Sequence, residues 1–181
     1  MDTTSSNSVF AAATLEHIDA LYGYAMTLAR DKTEAEDLVQ ETYLRAVKAA
    51  NQPQPHENLK AWLFVIMRNA WFNIVRHKQH ASRIFEFDDD EVVDAASDKT
   101  DDPHVVYLRK LEREQVREAI EKLPDPYREI VVLRDIEGFS YQQIASVLHC
   151  PAGTVMSRLG RARGKLREAL SAGQKVRRIY G

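Results

Sequence analysis

Between Thr154 and Arg167 the chain sets Thr154, Ser157, Arg158, Arg161, Arg163, Lys165 and Arg167 along a helical pattern, with no acidic side chain before Glu168. Guanidinium, ammonium and hydroxyl groups in such a row hold phosphate oxygens and read base edges, the two kinds of contact by which a helix binds duplex nucleic acid. Charge is polarised around this stretch although the whole is nearly neutral, with 25 Lys and Arg against 27 Asp and Glu. Residues 151–181 carry eight basic and one acidic side chain, residues 68–84 four and none, and residues 85–102 one and nine. Basic clusters are the electrostatic footprint of phosphate binding, but a charge run alone is as readily a solvated face. The elements that carry the charges have to decide.

Groups for covalent, acid–base or metal chemistry are not gathered anywhere. There is no phosphate-binding glycine loop, no metal-ligand cluster and no nucleophile beside a base, and His17, His56, His77, His80, His104 and His149 are scattered. No enzyme activity, metal or cofactor is expected. The one cysteine, Cys150, has no partner for a disulfide or zinc site and reads as a small residue in a turn. The apolar runs are too short to cross a bilayer, and Met1–Asn7 lacks the basic start and apolar stretch of a secretory signal. The expected setting is the cytoplasm, without membrane insertion.

Apolar positions recur at helical intervals throughout, so the expected fold class is all-α. Leu15, Ile18, Leu21, Tyr22, Ala25 and Leu28 line one face of a first helix. Thr33 and Glu36 have capping-box spacing, and Leu38, Val39, Thr42, Ala46 and Val47 form the stripe of a second helix. Its opposite face carries Asp37, Gln40, Glu41, Arg45 and Lys48, which by pattern alone is solvated charge or a docking surface. Pro53 and Pro55 break the pattern into a loop. From Asn58, a predicted N-cap, Leu59 to Val75 is apolar almost all round, as for a helix enclosed by others, with Trp62, Phe64, Trp71 and Phe72 as core and a basic tip at Arg76-His77-Lys78.

Residues 85–102 are acidic and aperiodic and read as a flexible linker suited to a basic channel. Beyond it, Asp102-Pro103 starts a helix with Val105, Val106, Leu108, Leu111, Val116, Ala119 and Ile120 inward, and Leu123-Pro-Asp-Pro126 leads to another with Ile130, Val131, Leu133 and Ile136 inward. Ser140-x-x-Gln143 is a capping box before Ile144, Ala145 and Leu148, and a turn at 149–153 precedes a last helix burying Val155, Leu159, Ala162, Leu166 and Leu170. Two short helices about a tight turn make a helix-turn-helix, whose second helix enters the major groove. The organisation expected is a helical bundle over 10–84, the linker over 85–102, a helix-turn-helix domain over 103–174 and a basic tail over 175–181.

Leu123-Pro-x-x-x-Arg128, Gly138-x-Ser140-x-x-x-Ile144-Ala145 and Pro151-x-Gly153-Thr154-Val155-x-Ser157-Arg158-Leu159-x-Arg161-Ala162-Arg163 resemble the C-terminal domain of the extracytoplasmic-function sigma factors of bacterial RNA polymerase, in the sigma-70 family. Ala35-x-Asp37-Leu38-Val39-Gln40-Glu41-Thr42 and Ala61-Trp62-Leu63-x-x-Ile66-x-x-Asn69 resemble that family's N-terminal domain. The resemblance implies that Asp37, Gln40, Glu41 and Arg45 dock on the clamp of the polymerase's largest subunit, with the flap of the second-largest as a further partner. It implies that Gln54, His56, Glu57, Asn58, Asn69, Arg76 and Lys78 hold the melted minus-ten strand. It also implies that Arg134, Thr154, Ser157, Arg158, Arg161, Arg163 and Lys165 face the minus-thirty-five element. Met156 and Gly160 stand where relatives often carry a basic or bulky residue, and Pro53 and Pro55 stiffen the loop.

The function so implied is promoter-specific initiation with core RNA polymerase, restrained by an anti-sigma protein that could hold the chain at the inner membrane. An ordinary helix-turn-helix regulator would leave the block from Trp62 to Val75 without purpose. A sigma-like decoy for an anti-sigma protein would not need the basic excess after Pro151. Promoter sequence, inducing signal and inhibitor are not written in the chain.

Overall fold

A computed structural model describes residues 13–49, 58–82 and 113–180, with side chains to Lys78 in the third helix and to Ser171 in the last. The proline loop, the acidic linker and the predicted helix start at Asp102-Pro103 lie outside the described residues. Among the described residues every regular element is helical, as the apolar periodicity requires. They are α1 (Ile18–Ala29), α2 (Lys32–Ala49), α3 (Leu59–Ser82), α4 (residues 113–121), α5 (Asp125–Val131), α6 (Tyr141–Leu148) and α7 (Ala152–Tyr180). The chain divides into two compact units, Met1–Val93 with Gln142–Cys150 and Asp94–Tyr141 with Pro151–Gly181.

In the first unit α1, α2 and α3 pack pairwise into a bundle. Its core is Leu21, Tyr24, Ala25, Ala35, Leu38, Ala46, Leu63, Phe64, Met67 and Ala70, all fully buried. Tyr24 stacks on Phe64 with centroids 4.7 Å apart and planes 19° from parallel, an arrangement that adds to the burial of two large rings. The inward tyrosine is therefore Tyr24, not the predicted Tyr22, which is only half-buried. Leu15 and Ile18 are exposed because residues 16–17 form a turn that ends the first helical segment and puts them off the stripe.

Asp31, rather than Thr33, caps α2: the amide of Glu34 donates to Asp31 Oδ1 at 2.8 Å. The cap satisfies a first-turn amide that has no carbonyl partner within the helix. Asn58 caps α3 as predicted, accepting from the Ala61 amide at 2.9 Å. Tyr43 donates to the Thr14 carbonyl at 2.7 Å and ties α2 to the stretch of chain before α1; burial, and secondarily the Asp19 carboxylate, push its pKa above the ordinary tyrosine value.

In the second unit α5 packs on α7 and runs into a π turn over Val132–Ile136. Ile130, Val131 and Leu133 are buried as predicted, whereas Ile136 is exposed. The amide of Glu137 reaches back five residues to the Val132 carbonyl at 2.9 Å; the wider turn rotates Ile136 away from the α-helical face that the sequence spacing assumes. Gly138 then takes φ +75°, a left-handed conformation that favours glycine. Val116 is exposed, while Ala119 is buried.

The segment from α6 to α7 is a tight turn. Its first helix starts directly after Ser140 and buries Ile144, Val147 and Leu148. His149 adopts φ 50° and the Cys150 amide closes the helix on the Ala145 carbonyl at 3.0 Å. Pro151 accepts from the Thr154 amide at 2.9 Å and opens α7, which buries Val155, Leu159 and Ala162. Residues at steps of three and four thus turn one stripe of α7 inward and present the other to solvent.

Candidate nucleic-acid and polymerase interface

The outer face of α7 follows from its buried stripe. Gly153, Met156, Ser157, Gly160 and Arg161 are exposed, and Thr154 and Arg158 are half-buried. These positions occupy the N-terminal half of the second helix of a helix-turn-helix, where base edges are met. Arg163 and Lys165 lie at the margins of the buried stripe and turn back onto the unit. Arg163 forms a two-point ion pair with Asp135, its Nε 3.2 Å from Oδ2 and its Nη2 on Oδ1. The hydrogen bond from Arg163 to Asp135 raises the arginine's pKa above its ordinary value. The Lys165 ammonium sits 5.8 Å from the Tyr127 ring centroid. Arg134 donates to the Phe139 carbonyl at 2.6 Å and lies 5.1 Å over the Tyr141 ring, which fastens the loop before α6. The predicted minus-thirty-five set is thereby divided into an outward group and three cations engaged with α5, the π turn or the loop.

Behind this face a buried cation joins α4 to α5. Arg128 is only 5% exposed. Its Nη1 donates to the Glu121 carbonyl at 2.9 Å and, more weakly, to the Leu123 carbonyl at 3.4 Å. Its Nη2 meets Asp125.

On α2, Asp37 and Gln40 are exposed, and Glu41 and Arg45 are half-exposed and paired through Arg45 Nε and Glu41 Oε1 at 2.6 Å. The structure adds a residue that the sequence pattern missed: Leu44, 57% exposed and three residues beyond Glu41. Its signal was present, since Leu44 falls outside the stripe of Leu38, Thr42 and Ala46. An apolar side chain ringed by Gln40, Glu41 and Lys48 has the make-up of an interface centre with a polar rim.

On α3, Asn69, Arg76 and Lys78 are exposed. Asn69 Oδ1 lies 2.9 Å from His149 Nε2, and Lys78 is ion-paired with Glu34 of α2. Asn58 spends its side-chain oxygen on the helix cap. Gln54, His56 and Glu57 lie outside the described residues. Burial on α3 is one-sided: Leu63, Phe64, Met67 and Ala70 are inside, but Phe72, predicted as core, is 44% exposed with the Arg68 guanidinium 4.5 Å from its centroid. An apolar run does not disclose which of its rings lacks a neighbour. No cluster of His, Cys, Asp and Glu able to hold a metal occurs among the described residues, and no helix there is long and apolar enough to cross a membrane.

Two small helical units, an exposed polar face on α2, a basic tip on α3 and two successive helices, α6 and α7, joined by a tight turn are the make-up of a nucleic-acid-binding transcription protein. Sigma-70 region 2 matches residues 15–81 and sigma-70 region 4 matches residues 113–166. The chain is 38% identical over 152 residues to the ECF RNA polymerase sigma factor EcfG of Rhodopseudomonas palustris, covering 84% of this chain and 80% of that protein. Similar solved structures include two sigma-factor complexes. One is the sigma factor RpoE in complex with the anti-sigma factor NepR from Bartonella quintana, with TM-score 0.73, 30% identity and coverage of 90% of this chain and 96% of that one. The other is CnrH in complex with the cytosolic domain of CnrY, with TM-score 0.62, 27% identity and coverage of 93% and 94%. The chain belongs to the ECF sigma factors of the sigma-70 family.

Proposed function

We propose that this chain joins core RNA polymerase, directs initiation at its own class of promoter and has no catalytic role of its own. The observation that carries the reading is the succession of region 2 and region 4 in one chain, each with an exposed face of suitable chemistry. The domain limits we assign are 10–84, 85–102 for the linker, 103–174 and the tail 175–181. Asp37, Gln40, Glu41 and Arg45, centred on Leu44, dock on the largest subunit's clamp, while the second domain meets the flap of the second-largest subunit. The loop with Gln54, His56 and Glu57, together with Asn58, Asn69, Arg76 and Lys78, holds the melted minus-ten strand. Contacts to the minus-thirty-five element come first from Ser157, Arg158 and Arg161, with Thr154 beside them, and secondarily from Arg134, Arg163 and Lys165, which must leave or share their present partners.

Control by an anti-sigma protein follows from the similarity to two sigma factors solved with such partners. The working location is the cytoplasm, with the inhibitor as the means of any retention at the inner membrane. The test is run-off transcription from fragmented bacterial genomic DNA with core polymerase alone, with core plus this chain, and with an Arg158→Ala, Arg161→Ala double variant. Discrete new start sites that vanish in the variant are expected. Clean core binding with no initiation would leave only a decoy role.

A further inference from the structure

One large apolar side chain of α7 is not used by the core. Val155 and Leu159 are buried, at 0% and 2% exposure, but Met156 between them is 53% exposed. Gly153, three residues before Met156, and Gly160, four residues after it, lie on the same side of the helix, and both are exposed. A Cβ at either would meet nothing within 4 Å, so the helix surface is bare on both sides of the thioether. Ser157 and Arg161 are exposed beside it, Arg158 is half-buried, and the helix carries no Asp or Glu from Ala152 to Arg167. The outer face of α7 is therefore one apolar side chain standing between two bare positions, within a carboxylate-free row of cations and a hydroxyl.

Resting on the minus-thirty-five reading of α7 above, we propose that Met156 selects a thymine within that element by packing on its C5-methyl group. In the major groove every base-pair edge presents hydrogen-bond donors and acceptors, and the thymine methyl is the apolar group among them. A thioether is at best a weak acceptor. Set against any other base edge, it would strip water from a donor or acceptor and return nothing, which carries the cost of an unsatisfied polar group. Against the methyl it removes two apolar surfaces from water at once. The bare positions at Gly153 and Gly160 keep other side chains from holding the helix off the base pairs on either side of that contact. Ser157, Arg158 and Arg161 supply the polar and phosphate contacts that fix the register, so the apolar contact is left to discriminate. Methionine is also common at adaptable protein-binding surfaces, but the cations around Met156 and the absence of a carboxylate favour a polyanion over a protein partner.

The experiment uses holoenzyme assembled from core polymerase and the full chain, binding duplex that carries a promoter recovered by run-off transcription, at one fixed salt concentration. Each thymine of the minus-thirty-five element, on either strand, is replaced in turn by deoxyuridine, which removes the methyl group and keeps the base pair. One such replacement should lower wild-type affinity about three- to fivefold, the effect of one methyl group withdrawn from apolar contact. Met156→Ala should bind that template and its thymine parent equally, and Met156→Leu should restore the difference. The proposal is overturned if no replacement weakens wild-type binding, or if the same loss persists in Met156→Ala. It is overturned also if Met156→Ala impairs assembly with core polymerase in the absence of DNA, which would make the thioether a protein contact. The Arg158→Ala, Arg161→Ala double variant separates the two claims. If it weakens binding to every template while deoxyuridine costs the wild type nothing, the minus-thirty-five reading stands and the role of Met156 falls; if the double variant matches wild type, both fall.

Discussion

Arg128→Ala should unfold the second domain well before the first, and the structure sets the size of the effect. Two carbonyl oxygens, of Glu121 and Leu123, accept from the buried guanidinium at 2.9 and 3.4 Å. Hydrogen bonds to a charged donor contribute about 1.5–3 kcal/mol at good geometry, and the longer one lies at the weak end or below. The Asp125 partner is 80% exposed on its side chain, so that ion pair is worth under about 1 kcal/mol. Together with the space left by a long buried side chain, the loss is about 3 kcal/mol. For a domain of this class that lowers Tm by about 12–24 °C. Arg128→Met keeps most of the volume but neither hydrogen bond and should recover only a small part, while Asp125→Ala should cost under about 1 kcal/mol. Thermal unfolding of the full chain followed by circular dichroism measures all three. A loss below about 1 kcal/mol in Arg128→Ala, or an Asp125→Ala loss equal to it, would refute the assignment of the stability to the carbonyl contacts.

Three further outcomes are expected. Tyr43 has its pKa raised in the folded state, so the fold holds this proton more tightly than the unfolded chain; stability is full below about pH 10 and declines as pH rises through the folded value, a slope that Tyr43→Phe should reduce in alkaline denaturation. A Cβ at Gly160 meets nothing within 4 Å, whereas Gly138 sits at φ +75°; Gly160→Ala should stabilise by about 0.5–1 kcal/mol and Gly138→Ala destabilise by about 1–2 kcal/mol in chemical denaturation. In holoenzyme binding to promoter duplex, Arg161→Ala should flatten the log–log salt dependence by about one unit if Arg161 holds a phosphate; Arg163→Ala should change it less, because Asp135 already engages that guanidinium.

The helices and most of the core were legible because apolar residues at steps of three and four can be buried together only on a helix. Leu38, Thr42 and Ala46, or Val155, Leu159 and Ala162, needed no further information. The misses have particular causes. Ile136 was assigned inward by α-helical spacing, which the π turn at Val132–Ile136 breaks. Tyr22 and Tyr24 are two residues apart on α1, and only the position of Phe64 on another helix decides which of them is inside. Phe72 reads as core because nearly every position around it is apolar, and composition cannot indicate which ring of such a run is left without a cover; Phe72 is 44% exposed.

The candidate site was legible in residue type but not in rank. Sequence places Arg161 and Arg163 in one basic row, yet the carboxylate that meets Arg163 is Asp135, 28 residues away. Lys78 likewise meets Glu34 across 44 residues. Local spacing cannot encode such partners, although it encoded the Asn58 cap of α3, which is a contact across three residues. An exposed pair costs under about 1 kcal/mol to break, so neither Arg163 nor Lys78 is barred from a phosphate. Each would bring to DNA only the difference between the new contact and the one surrendered. At a phosphate, Arg161, exposed on the outer face with Ser157, would yield more per contact than Arg163, though the two residues carry the same charge and stand two positions apart.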